Sequence, residues 1–130
     1  MTRAFLFPGQ GSQKTGMGKD LADAFAPARE VFEEVDDALS QGLSRLMWEG
    51  PEDDLTLTEN AQPAIMALSL AILRVLEKEM GLDVARHAHL VAGHSLGEYS
   101  ALCAASAFSL ADTARLLKIR GQASDPSPRP

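Results

Sequence analysis

Apolar positions along the chain fall into short unbroken runs and longer helical stripes. Arg3-Ala4-Phe5-Leu6-Phe7 is a short run stopped by Pro8 and the glycine-rich Gly9-Gln10-Gly11-Ser12-Gln13, which predicts a buried strand passing directly into a loop. Val31, Phe32, Val35 and Leu39 make a stripe at helical spacing, while Glu30, Glu33, Glu34 and Asp37 occupy the opposite side. That pattern predicts an amphipathic helix with Pro27 in its first turn. From Gln62 to Met80 nearly every position is apolar or a good helix former. The apolar side chains wrap most of the way round, so a helix buried on several sides is expected, with Pro63 in its first turn and Gly81 as its cap. His89-Leu90-Val91-Ala92 predicts a second buried strand entering Gly93-His94-Ser95-Leu96-Gly97. A small-residue helix from Glu98 to Ala105 follows, and Ser109 caps a last helix expected to run to Arg120 and stop at Gly121. Two strands separated by helices predict an α/β fold with parallel strands and a large helical share. Two strands alone leave unpaired edges unless further strands join them.

Composition narrows the function classes. The chain has 130 residues with a formal net charge of −6, a size that supports a proper core without disulfides or a structural metal. Its acidity argues against a nucleic-acid partner. Twelve of the acidic residues lie between 20 and 60, against two basic ones, and read as a solvated helical surface. The single cysteine, Cys103, sits among small apolar residues and reads as core packing. His87 and His89 alternate as strand ligands would, but no carboxylate or third ligand lies near, so no metal is expected. Trp48 and Tyr99, the only residues of their kinds, read as packing aromatics. The N-terminal apolar run is too short for a signal peptide, and Ala64 to Leu76 is interrupted by Ser69 and Arg74, short of the roughly 20 residues of a membrane span. A soluble, cytoplasmic chain without membrane contact is the expectation. Residues 1–122 read as the folded part and 123–130, with Pro126, Pro128 and Pro130, as a disordered proline-rich tail.

The chemistry concentrates at Gly93-His94-Ser95-Leu96-Gly97, which has the Gly-x-Ser-x-Gly form of a nucleophile elbow. A serine on a sharp strand-to-helix turn exposes its Oγ, and the flanking glycines let neighbouring backbone approach. The turn also sets Ser95 at a helix N-terminus, where N–H groups favour developing negative charge. Acyl transfer needs a second oxyanion donor besides the N–H of Leu96. Gln10, at the end of the other strand, is the candidate, because parallel neighbours carry both loops to one sheet edge. A plain strand-to-helix turn and a tight glycine turn are the bland alternatives.

Four segments together point further. Phe7-Pro8-Gly9-Gln10-Gly11-Ser12-Gln13, Thr58-Glu59-Asn60-Ala61-Gln62-Pro63-Ala64, Gly93 to Leu102 and Arg115 to Gly121 resemble, in order and spacing, the malonyl-CoA:acyl-carrier-protein transacylases of fatty-acid synthesis. The resemblance implies an α/β-hydrolase-like acyltransferase core, here in part, without the smaller ferredoxin-like subdomain. It implies malonyl transfer from malonyl-CoA to the phosphopantetheine thiol of acyl carrier protein, with no cofactor and with Ser95 as the ester-forming nucleophile. Gln10 and Leu96 match the backbone oxyanion donors, Arg120 matches the arginine that pairs with the malonyl carboxylate, and Gln62 matches a pocket-lining position. His94 is not the candidate base, since the side chain next to the nucleophile is expected to point elsewhere.

Other readings stand beside these. Arg120 and Lys118 could complement a helix C-terminus. A generic serine esterase explains the elbow but not Arg120. A non-catalytic remnant or carrier-binding module is the third alternative, docking an acidic carrier through Arg115, Lys118, Lys14 and Lys19. The general-base histidine that the resemblance implies comes well after the serine, and none of the three histidines here follows Ser95. The chain therefore reads as the N-terminal portion of such an enzyme, with little turnover expected by itself.

Overall fold

The computed structural model describes residues 3–88 and 90–124. Strand β1 (Ala4–Phe7) is followed by helices α1 (Lys19–Ala24), α2 (Ala26–Leu39), α3 (Leu43–Glu49), α4 (Glu52–Thr56), α5 (Thr58–Met80) and α6 (Val84–His87). Strand β2 (Leu90–Gly93) and helices α7 (Gly97–Ala104) and α8 (Leu110–Ser124) complete the described chain. The two strands pair in parallel, Phe5 opposite Val91 and Phe7 opposite Gly93, as the α/β reading expected. Their C-terminal ends therefore share one edge of the sheet.

Helix α5 is the axis of the fold. Every residue from Asn60 to Ala67 is buried, as are Leu70, Ala71, Leu73 and Val75, because α2, α7 and α8 all pack against it. Val31, Phe32 and Val35 deliver the apolar stripe of α2 into this core, while Glu30, Glu33, Glu34 and Asp37 stay exposed. Phe32 meets Trp48 edge to face with centroids 5.6 Å apart, a favourable aromatic geometry that bears out packing for Trp48. Gly81 closes α5 in the left-handed conformation, φ 69°. Ser109 caps α8, accepting from the Asp112 N–H at 3.1 Å. Pro27 lies in the first turn of α2.

Several sequence expectations change. Helix α5 begins at Thr58, a turn before Gln62, because the Leu57 carbonyl accepts from the N–H groups of Asn60 and Ala61. Pro63 thus lies inside the helix. Helix α8 runs through Gly121 to Ser124. Gly121 is a contact position, where a Cβ would press on the backbone of Thr58 and Glu59, and its missing side chain lets α8 cross the first turn of α5. The expected tail at 123–130 therefore begins no earlier than residue 125, and 125–130 lie outside the described residues, as does His89. The strands are less buried than their apolar runs suggested: Leu6 is 75% and Leu90 58% exposed. A trough of about 340 Å³ opens beside β1, lined by Leu6, Ile65, Leu68, Ile72, Leu76 and Leu82 among others. His87 belongs to a helix rather than a strand, and its Nδ1 accepts from the Asp83 N–H at 2.8 Å. No helix of the described residues is long and apolar enough to cross a membrane.

Candidate active site

The site grows from glycine contacts at the shared edge of the sheet. A Cβ at Gly93 would collide with the Gly97 backbone, and one at Gly97 with the Phe7 carbonyl. Both glycines are therefore required for α7 to spring directly from β2 while leaning on the end of β1. The turn between them puts Ser95 at φ 58°, the left-handed conformation that costs a non-glycine residue about 1–3 kcal/mol. Ser95 is exposed, and Leu96 behind it is fully buried. The buried leucine anchors the turn that presents the hydroxyl.

The other loop arrives as the parallel pairing requires. A Cβ on Gly9 would lie 2.7 Å from the His94 carbonyl oxygen, so the backbone leading into Gln10 runs against the elbow. The Gln10 amide donates to Thr58 Oγ1 at 3.2 Å, tying the loop to the start of α5. Among the described residues neither the Gln10 nor the Leu96 backbone N–H has a partner. Both donors expected for an oxyanion are thus unengaged. His94 turns its Nδ1 toward the Gly9 side.

Arg120 reaches the elbow from α8. Its Nη2 donates to Ser95 Oγ at 2.9 Å and its Nη1 to Gln62 Oε1 at 2.7 Å, and α8 runs on past it to Ser124. Gln62 is only 2% exposed and sits on the buried face of α5, so the guanidinium is braced from inside the core. Tyr99 adds a third contact, its ring centroid 5.6 Å from Arg120 Cζ. The packing role assigned to Tyr99 from the sequence was therefore incomplete. Tyr99 follows Ser95 by four residues, at the start of α7.

Lys118 departs from its expected place. Its Nζ donates to Gln41 Oε1 at 2.8 Å and to Asn60 Oδ1 at 3.0 Å. It fastens α8 to α5 and to the loop after α2, and so leaves the proposed docking strip. Arg115 and Lys19 stay exposed beside Asp112 and Asp23. Cys103 is buried, and that burial pushes its thiol pKa up, partly opposed by a hydrogen bond with Thr113. It is a core residue. Among the described residues no group of three His, Cys, Asp or Glu side chains could hold a metal.

A strained serine with two free backbone donors and an arginine at its hydroxyl can serve acyl transfer, and residues 4–127 match the acyl transferase domain model. The chain belongs to the acyl transferase domain family. Similar members include the malonyl CoA-acyl carrier protein transacylases of Bacillus subtilis strain 168, 49% identical over 92% of this chain, and of Escherichia coli K12, 43% identical over 92%. The chain spans 36% and 37% of those relatives' lengths. Among solved acyl transferases, the acyl-carrier-protein S-malonyltransferase of Bartonella henselae superposes with a TM-score of 0.92 at 65% identity, covering 95% of this chain and 39% of that one. A malonyl-transacylase solved in complex with its type II PKS acyl-carrier protein superposes with a TM-score of 0.86 at 43% identity, covering 94% and 38%. The mostly helical α/β architecture with its parallel strand pair is thus that of the acyl transferases.

Proposed function

We propose that this chain carries the nucleophile, oxyanion donors and acid-recognising arginine of a transacylase that moves a malonyl group from malonyl-CoA to the phosphopantetheine thiol of acyl carrier protein. The observation that carries the reading is the position of Arg120, braced by Gln62 and 2.9 Å from Ser95 Oγ. A guanidinium fork pairs with a carboxylate through two parallel N–H groups. Held this close to the nucleophile, it recognises a carboxylate only a carbon or two from the reacting carbonyl. Malonyl meets that demand, and acetyl offers nothing to the fork.

The chemistry is two acyl transfers through one ester. Ser95 Oγ adds to the thioester carbonyl carbon and gives up its proton, while the carbonyl oxygen takes negative charge against the N–H groups of Leu96 and Gln10. The C–S bond breaks and coenzyme A leaves as the thiol, taking a proton. The carrier thiol then adds to the seryl ester, and Oγ departs with a proton restored. Removing one oxyanion donor from such a site costs about 10²- to 10³-fold in rate. The scheme calls on protein groups and on no cofactor, and a cytoplasmic setting with its supply of acyl-CoA suits the substrates.

The proton leaving Oγ needs an acceptor. Arg120 has donors only, and no histidine follows Ser95 in these 130 residues. Losing the base of such a triad removes most of the rate, so these residues by themselves should recognise malonyl-CoA yet turn it over poorly. Calorimetry checks the first half: malonyl-CoA should bind about 10- to 100-fold more tightly than acetyl-CoA, and Arg120→Ala should erase the difference. Intact-mass measurement after incubation with malonyl-CoA checks the second. Rapid, stoichiometric acylation of Ser95 that carrier protein discharges would show that no further base is required.

A further inference from the structure

We propose that Tyr99 is a positioning residue that sets acyl-group selectivity, its ring face fixing the plane of the Arg120 guanidinium for two-point capture of the acyl carboxylate. The proposal rests on the transacylase reading. Arg120 ends a long side chain whose many rotamers must be restricted before a fork can meet a carboxylate in plane. Its other two contacts do not fix that plane. Gln62 Oε1 accepts one N–H, which allows rotation about that bond. The bond to Ser95 Oγ is to a hydroxyl that must turn toward the substrate when it attacks. The ring, 5.6 Å from Arg120 Cζ to its centroid, lies within the roughly 6 Å reach of a cation–π contact and supplies a face.

Tyr99 is well placed to hold such a partner. It sits in the first turn of α7, four residues after Ser95, and packs partly buried against the core. Only Leu96 separates Ser95 from Gly97, where α7 begins, so the nucleophile and the support of the carboxylate clamp flank one strand-to-helix junction. Among the described residues the Tyr99 hydroxyl has no hydrogen-bond partner, so the face rather than the hydroxyl does the holding. A neutral acyl group makes no use of the clamp and should be indifferent to its orientation.

The test is calorimetric titration of the chain and its Tyr99 variants with malonyl-CoA and, separately, acetyl-CoA. Tyr99→Phe should keep the affinity for malonyl-CoA within about twofold. Tyr99→Leu should lose about five- to thirtyfold, as expected for a partly desolvated cation–π contact, with acetyl-CoA affinity unchanged within twofold. The retained acetyl-CoA binding also shows that the variant is folded. Should Tyr99→Leu fail to fold, Tyr99→Met, whose flexible unbranched chain can adapt to the vacated space without a ring, takes its place with the same expected loss. Selectivity intact without the ring, or lost as fully in Tyr99→Phe, overturns the role of Tyr99 alone. A wild-type chain that binds both thioesters equally overturns the transacylase reading and this proposal with it.

Discussion

The helical layer and the strand pair are built to different standards. Around α5, side chains from α2, α3 and α8 close on one another, and Phe32, Leu43, Met47, Leu70 and Leu117 are at most 2% exposed. At the strands, Leu6 and Leu90 face outward at 75% and 58% exposure. Yet the proposed chemistry stands at the strand ends. Ser95 and the Gln10 loop hang on the less covered region, while Arg120 and Gln62 come from the well-packed one. The contrast teaches that the site is placed by the helices: α8 and α5 bring the guanidinium, and glycine contacts hold the elbow against β1.

Substitutions can break or sharpen that contrast. The largest effect is expected in the helical layer, where Phe32→Ala removes a 2% exposed ring that packs on Trp48 and should cost about 3–5 kcal/mol in urea unfolding. A smaller effect tests the two close backbone approaches. Gly97→Ala sets a methyl against the Phe7 carbonyl and Gly121→Ala sets one against Thr58 and Glu59, and each should cost about 1–3 kcal/mol by the same measurement. In Gly121→Ala that loss exceeds the gain of about 1 kcal/mol in helix propensity. If both were neutral, the junctions between the layers would be looser than the contacts imply.

A finer effect concerns Cys103, whose thiol pKa burial raises. On raising the pH the unfolded chain ionises first, so the stability that this thiol contributes is whole below the unfolded value of about 8.5 and is lost above it. Unfolding followed from pH 7 to 10 should show a downward slope that Cys103→Ala reduces. The smallest effect belongs to the strands: Leu6→Ala should change stability by no more than about 0.5 kcal/mol. A loss near that of Phe32→Ala would mean that the outer face of β1 is covered after all, and the contrast would fall.

Much of this was legible along the chain because it is local. The elbow announces itself through Gly93, Ser95 and Gly97, the parallel strands through two apolar runs ending in glycine-rich loops, and α2 through its periodic stripe. Helices α1, α3, α4 and α6 carried no comparable signal, being only four to seven residues long. Such short helices are set by their surroundings: Asp36 of α2, for example, accepts from the Ser44 backbone N–H at 2.9 Å in the first turn of α3. Helix ends also misled, since Pro63 and Gly121 look like boundary residues until their neighbours are known.

Sequence by itself determined what depends on chain-neighbour chemistry: a serine forced into a left-handed turn, two strands that must run parallel, and an apolar helix that must be buried. It named Arg120 and Gln62 only by resemblance, 58 residues apart with no spacing rule to join them. The tertiary structure decided their meeting, the placing of Arg120 over the Tyr99 ring, the inward turn of Lys118 and the use of Gly121 as a crossing point. Each of these rests on how helices far apart in the chain cross, and such crossings follow from the fit of whole surfaces, which no local pattern encodes.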